Sequence, residues 1–252
     1  MRTRSTRVLR GAVGVAGLLV AAELALRAGH VTLLPLVSTV LLRAAELTVD
    51  GEFLSAAAST LASWAAGLAL TVAVGIPIGL LLGAMPKVEA VVRPLIEFLR
   101  PIPSVALIPL AILVFTEQLH LRAAIVIYAA CWPVLINTIY GLKDVDPVAK
   151  ETLRSFGFGP LAVLVRVSLP SAAPFIATGI RLAASVAIVL AVSVELVAGG
   201  TDGVGVYIIK AGGGGRTDLM IAATVLTGLF GLLVNVAFVA VERKVFRWRH
   251  AR

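Results

Sequence analysis

The chain has 252 residues, 59% of them apolar and only 14% charged, with a mean hydropathy of +1.00 and a formal net charge of +8. Soluble domains carry about 45–50% apolar and about 25% charged residues, so composition excludes an ordinary water-soluble fold and points to a polytopic membrane protein. The excess positive charge sits at the ends of apolar runs and not along one polar face, which argues against nucleic acid as a partner and is how membrane orientation is encoded.

Six apolar stretches follow in order, at 8–26, 53–83, 88–117, 121–141, 172–199 and 219–241. The first is preceded by Arg2, Arg4, Arg7 and Arg10. Such a start fits either a signal peptide or an uncleaved first span. The run is long for a signal peptide and 21–25 is a poor cleavage site, so an uncleaved span is expected. Glu23 and Arg27, four apart, can pair on one helical face. Residues 27–52 read as a short, mixed outer segment. The second stretch exceeds the roughly 20 residues a span needs and must tilt or project from the bilayer. Gly75, Gly79 and Gly83 near its end form a ladder suited to close helix packing.

The third stretch is amphipathic in its first half and interrupted by Pro94, Pro101, Pro103 and Pro109, so it should be broken or kinked. Charge decides whether it crosses. With six crossings and an inner N-terminus, 17 Lys and Arg lie inside and 5 outside (Arg27, Arg43, Arg122, Lys210 and Arg216). Without that crossing the division is 10 against 12. The positive-inside rule therefore puts both termini and the 143–171 loop in the cytoplasm.

In that loop Asp146 and Pro147 suit the N-cap and first position of a helix, and Gly157 the left-handed position after its end, with Pro160 preventing continuation. The helix between them is about ten residues, roughly 15 Å long. Ala149, Thr152, Leu153 and Phe156 share one face; Lys150, Glu151 and Arg154 lie largely on the other. So short a helix is marginal alone in water and needs a surface to pack on, either its own spans and the lipid interface or a partner.

Glu151-Thr-Leu-Arg-Ser-Phe-Gly157, followed after nine residues by Val167-Ser-Leu169-Pro170, resembles the E-A-A-x3-G-x9-I-x-L-P signature of the membrane subunits of ATP-binding-cassette importers. Further similarities to the sulfonate, nitrate, taurine and bicarbonate branch are carried by 100–110 with its prolines, Pro133, Asn137-Thr138, Gly141, Pro174, Gly179-Ile-Arg181, and Glu195 with Gly203-Val-Gly205. The likeness spans about 53–242. The chain departs from the pattern at Thr152 and Leu153 (alanines in the signature), at Val167, and at Phe115-Thr116-Glu117.

The resemblance implies an all-α, type I permease fold with six transmembrane helices. It also implies a coupling surface for an ATPase at Ala149, Glu151, Thr152, Leu153, Phe156, Gly157, Leu169 and Pro170. The implied partners are two cytosolic ATPase subunits that bind ATP and Mg, an extracytoplasmic solute-binding protein, a second permease copy and the bilayer of a bacterial inner membrane. The expected division is 1–52 for the tail, first span and outer segment, 53–242 for the permease domain, and 243–252 for a basic cytoplasmic tail.

Within the spans, Glu195 is a costly intramembrane carboxylate with either a pathway or a packing role. It lies about 21 Å along a helix from Arg181, which reads as an inner-interface anchor. Asn137 and Thr138 are path candidates, the alternative being hydrogen bonds between helices. An ion-coupled secondary transporter or channel using Glu195 is the other reading of the whole chain. The run 212–217 lacks the Lys-Ser/Thr of a phosphate loop and reads as a flexible outer loop. Cys131 is alone, His30, His120 and His250 are isolated, and no nucleophile–base pair is evident. Neither a metal, nor a cofactor in this chain, nor an enzyme activity is expected.

Overall fold

The structure, a computed structural model, describes residues 2–29 and 34–247. His30, His250 and the rest of 248–252 lie outside the described residues, as do the side chains of Arg2, Arg4 and Arg7. The described residues form helices and turns, with no strand among them. Helix α1 is Arg2–Ala28, and its expected Glu23–Arg27 pair forms at 2.6 Å. Ser38 adds a backbone and a hydroxyl bond to the same carboxylate, tying α1 to α2 (Val37–Leu47). The segment read as a mixed outer stretch thus contains a helix, whose buried Val40, Ala44 and Leu47 recur at helical spacing.

Helix α3 (Gly51–Ala84) starts at Asp50, which accepts the Phe53 N–H at 2.7 Å. At 34 residues it is about 51 Å long, more than a bilayer core needs. The third stretch is broken as its prolines require. Helix α4 (Pro86–Leu99) and α5 (Ile108–Val114), with a 3-10 turn at Ser104–Leu107, are bent by 80°. Helices α6 (Gln118–Lys143) and α11 (Thr217–Val245) are continuous spans. Short α7 is Pro147–Ser155, and α10 is Val204–Gly213.

The fifth span begins earlier than its apolar stretch suggests. Helix α8 (Pro160–Val163), a π-helical turn at Leu164–Ser168 and α9 (Leu169–Ala198) run together through 160–198. The wide turn sits where the Pro170 ring would otherwise press on the carbonyl four residues earlier, so the proline is absorbed without ending the helix. Among the described residues four helices are long and apolar enough to cross a membrane, or five when the bent α4–α5 pair counts as one span.

Helix α6 is the hub, packed between α3 and α9. A Cβ placed on Gly75, Gly79 or Gly83 of α3 would lie 3.2, 2.7 and 2.7 Å from Val134, Thr138 and Leu142 of α6. The glycine ladder is therefore a packing face, and its pairing fixes direction as well. Both partners advance together along the chain, so α3 and α6 are parallel. The 85–117 segment must then carry the chain back across, as the charge count required. Gly141 meets Ala172 and Phe175, while Gly179 meets Pro133 and Asn137, so α9 is antiparallel to α6. Arg181 of α9 pairs with Glu242 of α11 at 3.1 Å, which brings the end of α11 to the side where α3 and α6 end.

The glycines at 212–215 correct an expectation. Gly212 and Gly213 finish α10; the Gly215 N–H reaches Gly212 O and the Arg216 N–H reaches Ala211 O, with Gly215 at φ +72°. This is a Schellman cap joining α10 to α11, a defined turn where a flexible loop was expected.

Candidate functional site

Two regions carry the residues singled out above, one at each end of the bundle. At the end shared by α3, α6 and α11, helix α7 is capped at both termini by the residues expected to do it. Asp146 accepts the Val148 N–H at 2.9 Å. Gly157, at φ +81°, donates to Arg154 O, and Phe158 donates to Leu153 O, a second Schellman cap. Nothing on α7 is buried. Ala149 and Leu153 face the body at half burial, whereas Thr152, Glu151 and Phe156 are exposed, Phe156 by 77%.

Lys150, on the face shared with Glu151 and Arg154, turns back to the body. Its Nζ donates to the Leu142 carbonyl at 3.1 Å, where the C-terminal dipole of α6 attracts a cation. The outward surface is instead Val148, Thr152 and Phe156, with Leu161 on α8 also exposed. Glu151 accepts no side-chain hydrogen bond among the described residues. Arg166 stacks over Phe158 at 4.8 Å, bracing the turn after the cap. Leu169 and Pro170 stand apart in character: Leu169 packs on Leu142, Ala172 and Ile176, while Pro170 is exposed at the start of α9.

At the opposite end Glu195 is fully buried. Its carboxylate is 3.2 Å from Arg122 Nη1, accepts the Gly205 N–H at 2.9 Å, and lies 2.9 and 3.0 Å from the Thr60 hydroxyl. Thr60 in turn accepts the Val204 N–H at 2.9 Å. Arg122 also reaches Ser59 at 3.2 Å and the Asp202 carbonyl. One carboxylate thus joins α3, α6, α9 and the start of α10.

The glycines that follow Glu195 are explained by it. A Cβ on Gly203, at φ +119°, would collide with the carboxylate; one on Gly205 would be 2.6 Å from Glu195 Cβ. Arg122 and Thr60 were not among the residues singled out. Arg122 was counted as an outer flanking charge, yet it is 2% exposed. A usable signal existed: two ionisable residues of opposite sign inside two predicted spans tend to find each other.

The remaining path candidates bond back to their own helix. Thr138 is fully buried against Gly79, and its hydroxyl bonds Val134 O of its own helix at 2.7 Å. Asn137 likewise donates to Pro133 O at 2.8 Å, the carbonyl one turn earlier, and packs at Gly179. Among the described residues neither makes the interhelical hydrogen bond considered as their alternative role.

Comparison with known proteins fits these features. The profile of the family described as binding-protein-dependent transport system inner membrane component matches residues 75–247. A Methanocaldococcus jannaschii protein assigned to the ABC transporter permeases is 35% identical over 73% of the chain and 68% of its own length. The bicarbonate transport system permease protein of Synechococcus elongatus is 29% identical over 73% of the chain and 66% of its own. The taurine transport system permease protein of Escherichia coli is 32% identical over 72% and 66%. The matched region thus spans about two thirds of the length of these relatives. Among solved structures, a chain of the inward-facing MetNI methionine ABC transporter superposes with a TM-score of 0.63 at 21% identity, covering 74% of this chain and 92% of that one. The fold is that of an ABC permease.

Proposed function

Because the chain belongs to the family of binding-protein-dependent transport system inner membrane components, we propose that it is the membrane half of an ATP-driven importer, with α7 as the element that receives force from a cytosolic ATPase. The assembly comprises two permease copies, two ATPase subunits that bind ATP and Mg, and an external solute-binding protein. The chain supplies the path and the partner supplies hydrolysis. Both termini and α7 are cytoplasmic, on the side favoured by 17 of the 22 basic residues.

The single observation that carries this reading is the geometry of α7. It is a helix of nine residues, fixed at both ends by caps, with a large aromatic left 77% exposed among the described residues. A helix that short holds its shape only when packed, and the exposed Val148, Thr152 and Phe156 give a partner a compact apolar face. The Glu151 carboxylate, which accepts no hydrogen bond among the described residues, is available to a basic group on that partner.

The solute is a small anion of the bicarbonate, nitrate, sulfonate or taurine kind. Support comes from the relatives named for bicarbonate and taurine transport. Delivery by a binding protein selects among such solutes. The test is co-purification of the full chain with its cognate ATPase. Phe156→Asp should cut recovery by about tenfold or more, since it buries a charge in an apolar contact. Undiminished recovery with transport intact would remove α7 from the coupling role.

A further inference from the structure

The inner ends of α9 and α11 enclose a cavity of about 480 Å³ lined by Pro174, Thr178, Arg181, Val239, Arg243 and Phe246, with Glu242 at its wall. Counting back about 20 residues from the outer end of either helix, one bilayer core, places this cavity at the inner membrane–water boundary. Arg181 is held in a definite pose, because its Nε donates to Glu242 at 3.1 Å. A guanidinium anchored through Nε keeps both terminal nitrogens as a fork of donors. Among the described residues neither terminal nitrogen of Arg181 has a hydrogen-bond partner, and Arg243 forms no ion pair. Two cations against one carboxylate leave the cavity net positive. Pro174, Val239 and Phe246 supply apolar wall beside them. The most apolar stretch of α11 has no residue buried within the chain, so this wall opens toward whatever surrounds the bundle.

We propose that this cavity is an oxyanion-binding site, with Arg181 as the oriented fork, Arg243 as the second cation and Glu242 as the carboxylate that positions Arg181. Its ligand is a phosphate- or sulfonate-like group. The two sources of that group are the headgroup of an anionic membrane lipid and the free anion leaving the path. A basic cavity between transmembrane helices at the cytoplasmic rim suits a lipid phosphate, whose glycerol and upper acyl chains would lie along Val239 and Phe246. The lipid source depends on the membrane placement of α9 and α11; the free-anion source rests on the proposed function.

The test uses the purified full chain in zwitterionic detergent. Retained lipid is counted by native mass spectrometry, and thermal unfolding is followed with phosphatidylglycerol, phosphatidylcholine or ethanesulfonate added. Arg243→Gln removes a cation without breaking the Arg181–Glu242 pair, and Arg243→Lys restores charge. For a lipid source, phosphatidylglycerol is retained in preference to phosphatidylcholine, about tenfold less in Arg243→Gln, as expected for one lost charge-assisted contact. The lysine variant recovers part of that binding. For a free-anion source, ethanesulfonate raises the unfolding midpoint of the wild type and not of Arg243→Gln, with no preference between the lipids. If neither anion separates wild type from Arg243→Gln, the site does not exist.

Discussion

Glu195 and Arg122 show what a buried charge pair demands of its neighbours. Each is nearly inaccessible, and the carboxylate collects a guanidinium, a hydroxyl and a backbone N–H. Removing one partner leaves the other charge buried alone, which costs about 3–5 kcal/mol in comparable pairs. Glu195→Gln should therefore lower the chain's unfolding free energy by about that amount, measured by denaturant titration in micelles. Combining it with Arg122→Met should restore much of the loss; a purely additive double variant would mean the two do not act as a pair. Gly203 has a separate requirement. Its φ of +119° and the carboxylate where a side chain would sit make Gly203→Ala a poorly folding variant even with Glu195 intact. Wild-type expression and unfolding behaviour for that variant would show that the loop does not need the close approach.

Helix packing and helix capping make their own predictions at the level of elements. The α3–α6 contact is a stripe of glycines against Val134, Thr138 and Leu142, and Gly79→Val would force atoms into a space already filled by Thr138. Overpacking of this kind costs about 1–3 kcal/mol, visible as a lowered unfolding midpoint; an unchanged midpoint would mean the two helices are not in contact as described. At α7 the consequence is functional. Gly157→Val cannot hold φ +81° without about 1–2 kcal/mol of strain, so the helix frays at the end that bears Phe156. In proteoliposomes containing the ATPase, hydrolysis should persist while uptake falls. Full uptake with this variant would show that the cap does not transmit motion.

For the molecule as a whole, parallel α3 and α6 require the bent segment between them to return across the membrane. A cysteine placed at Arg154 and another at Lys210 should react with impermeant thiol reagents from opposite sides of the membrane, the first only from inside. Labelling of both from one side contradicts the topology. Much of this architecture was legible in the sequence. Prolines announced the broken span, charge asymmetry its crossing, and Asp146, Pro147 and Gly157 the limits of α7, because each acts through local backbone rules. What depended on distant partners was not legible from local backbone rules. Arg122 read as a flank because its carboxylate is 73 positions away, and the Lys150 contact was not readable because the carbonyl it seeks belongs to α6. The early start of the fifth span was hidden by Pro170, which looks like a break until a widened turn accommodates it. That turn at Leu164–Ser168 inserts a surplus position between the α7–α8 region and a long rod. Excising one amino acid from it, Val165 for example, would rotate everything upstream by about 100° relative to the rod. Under the proposed coupling role α7 would then present a different side to the ATPase, and this short stretch would set the rotational phase in which a push from the cytosol reaches the bundle.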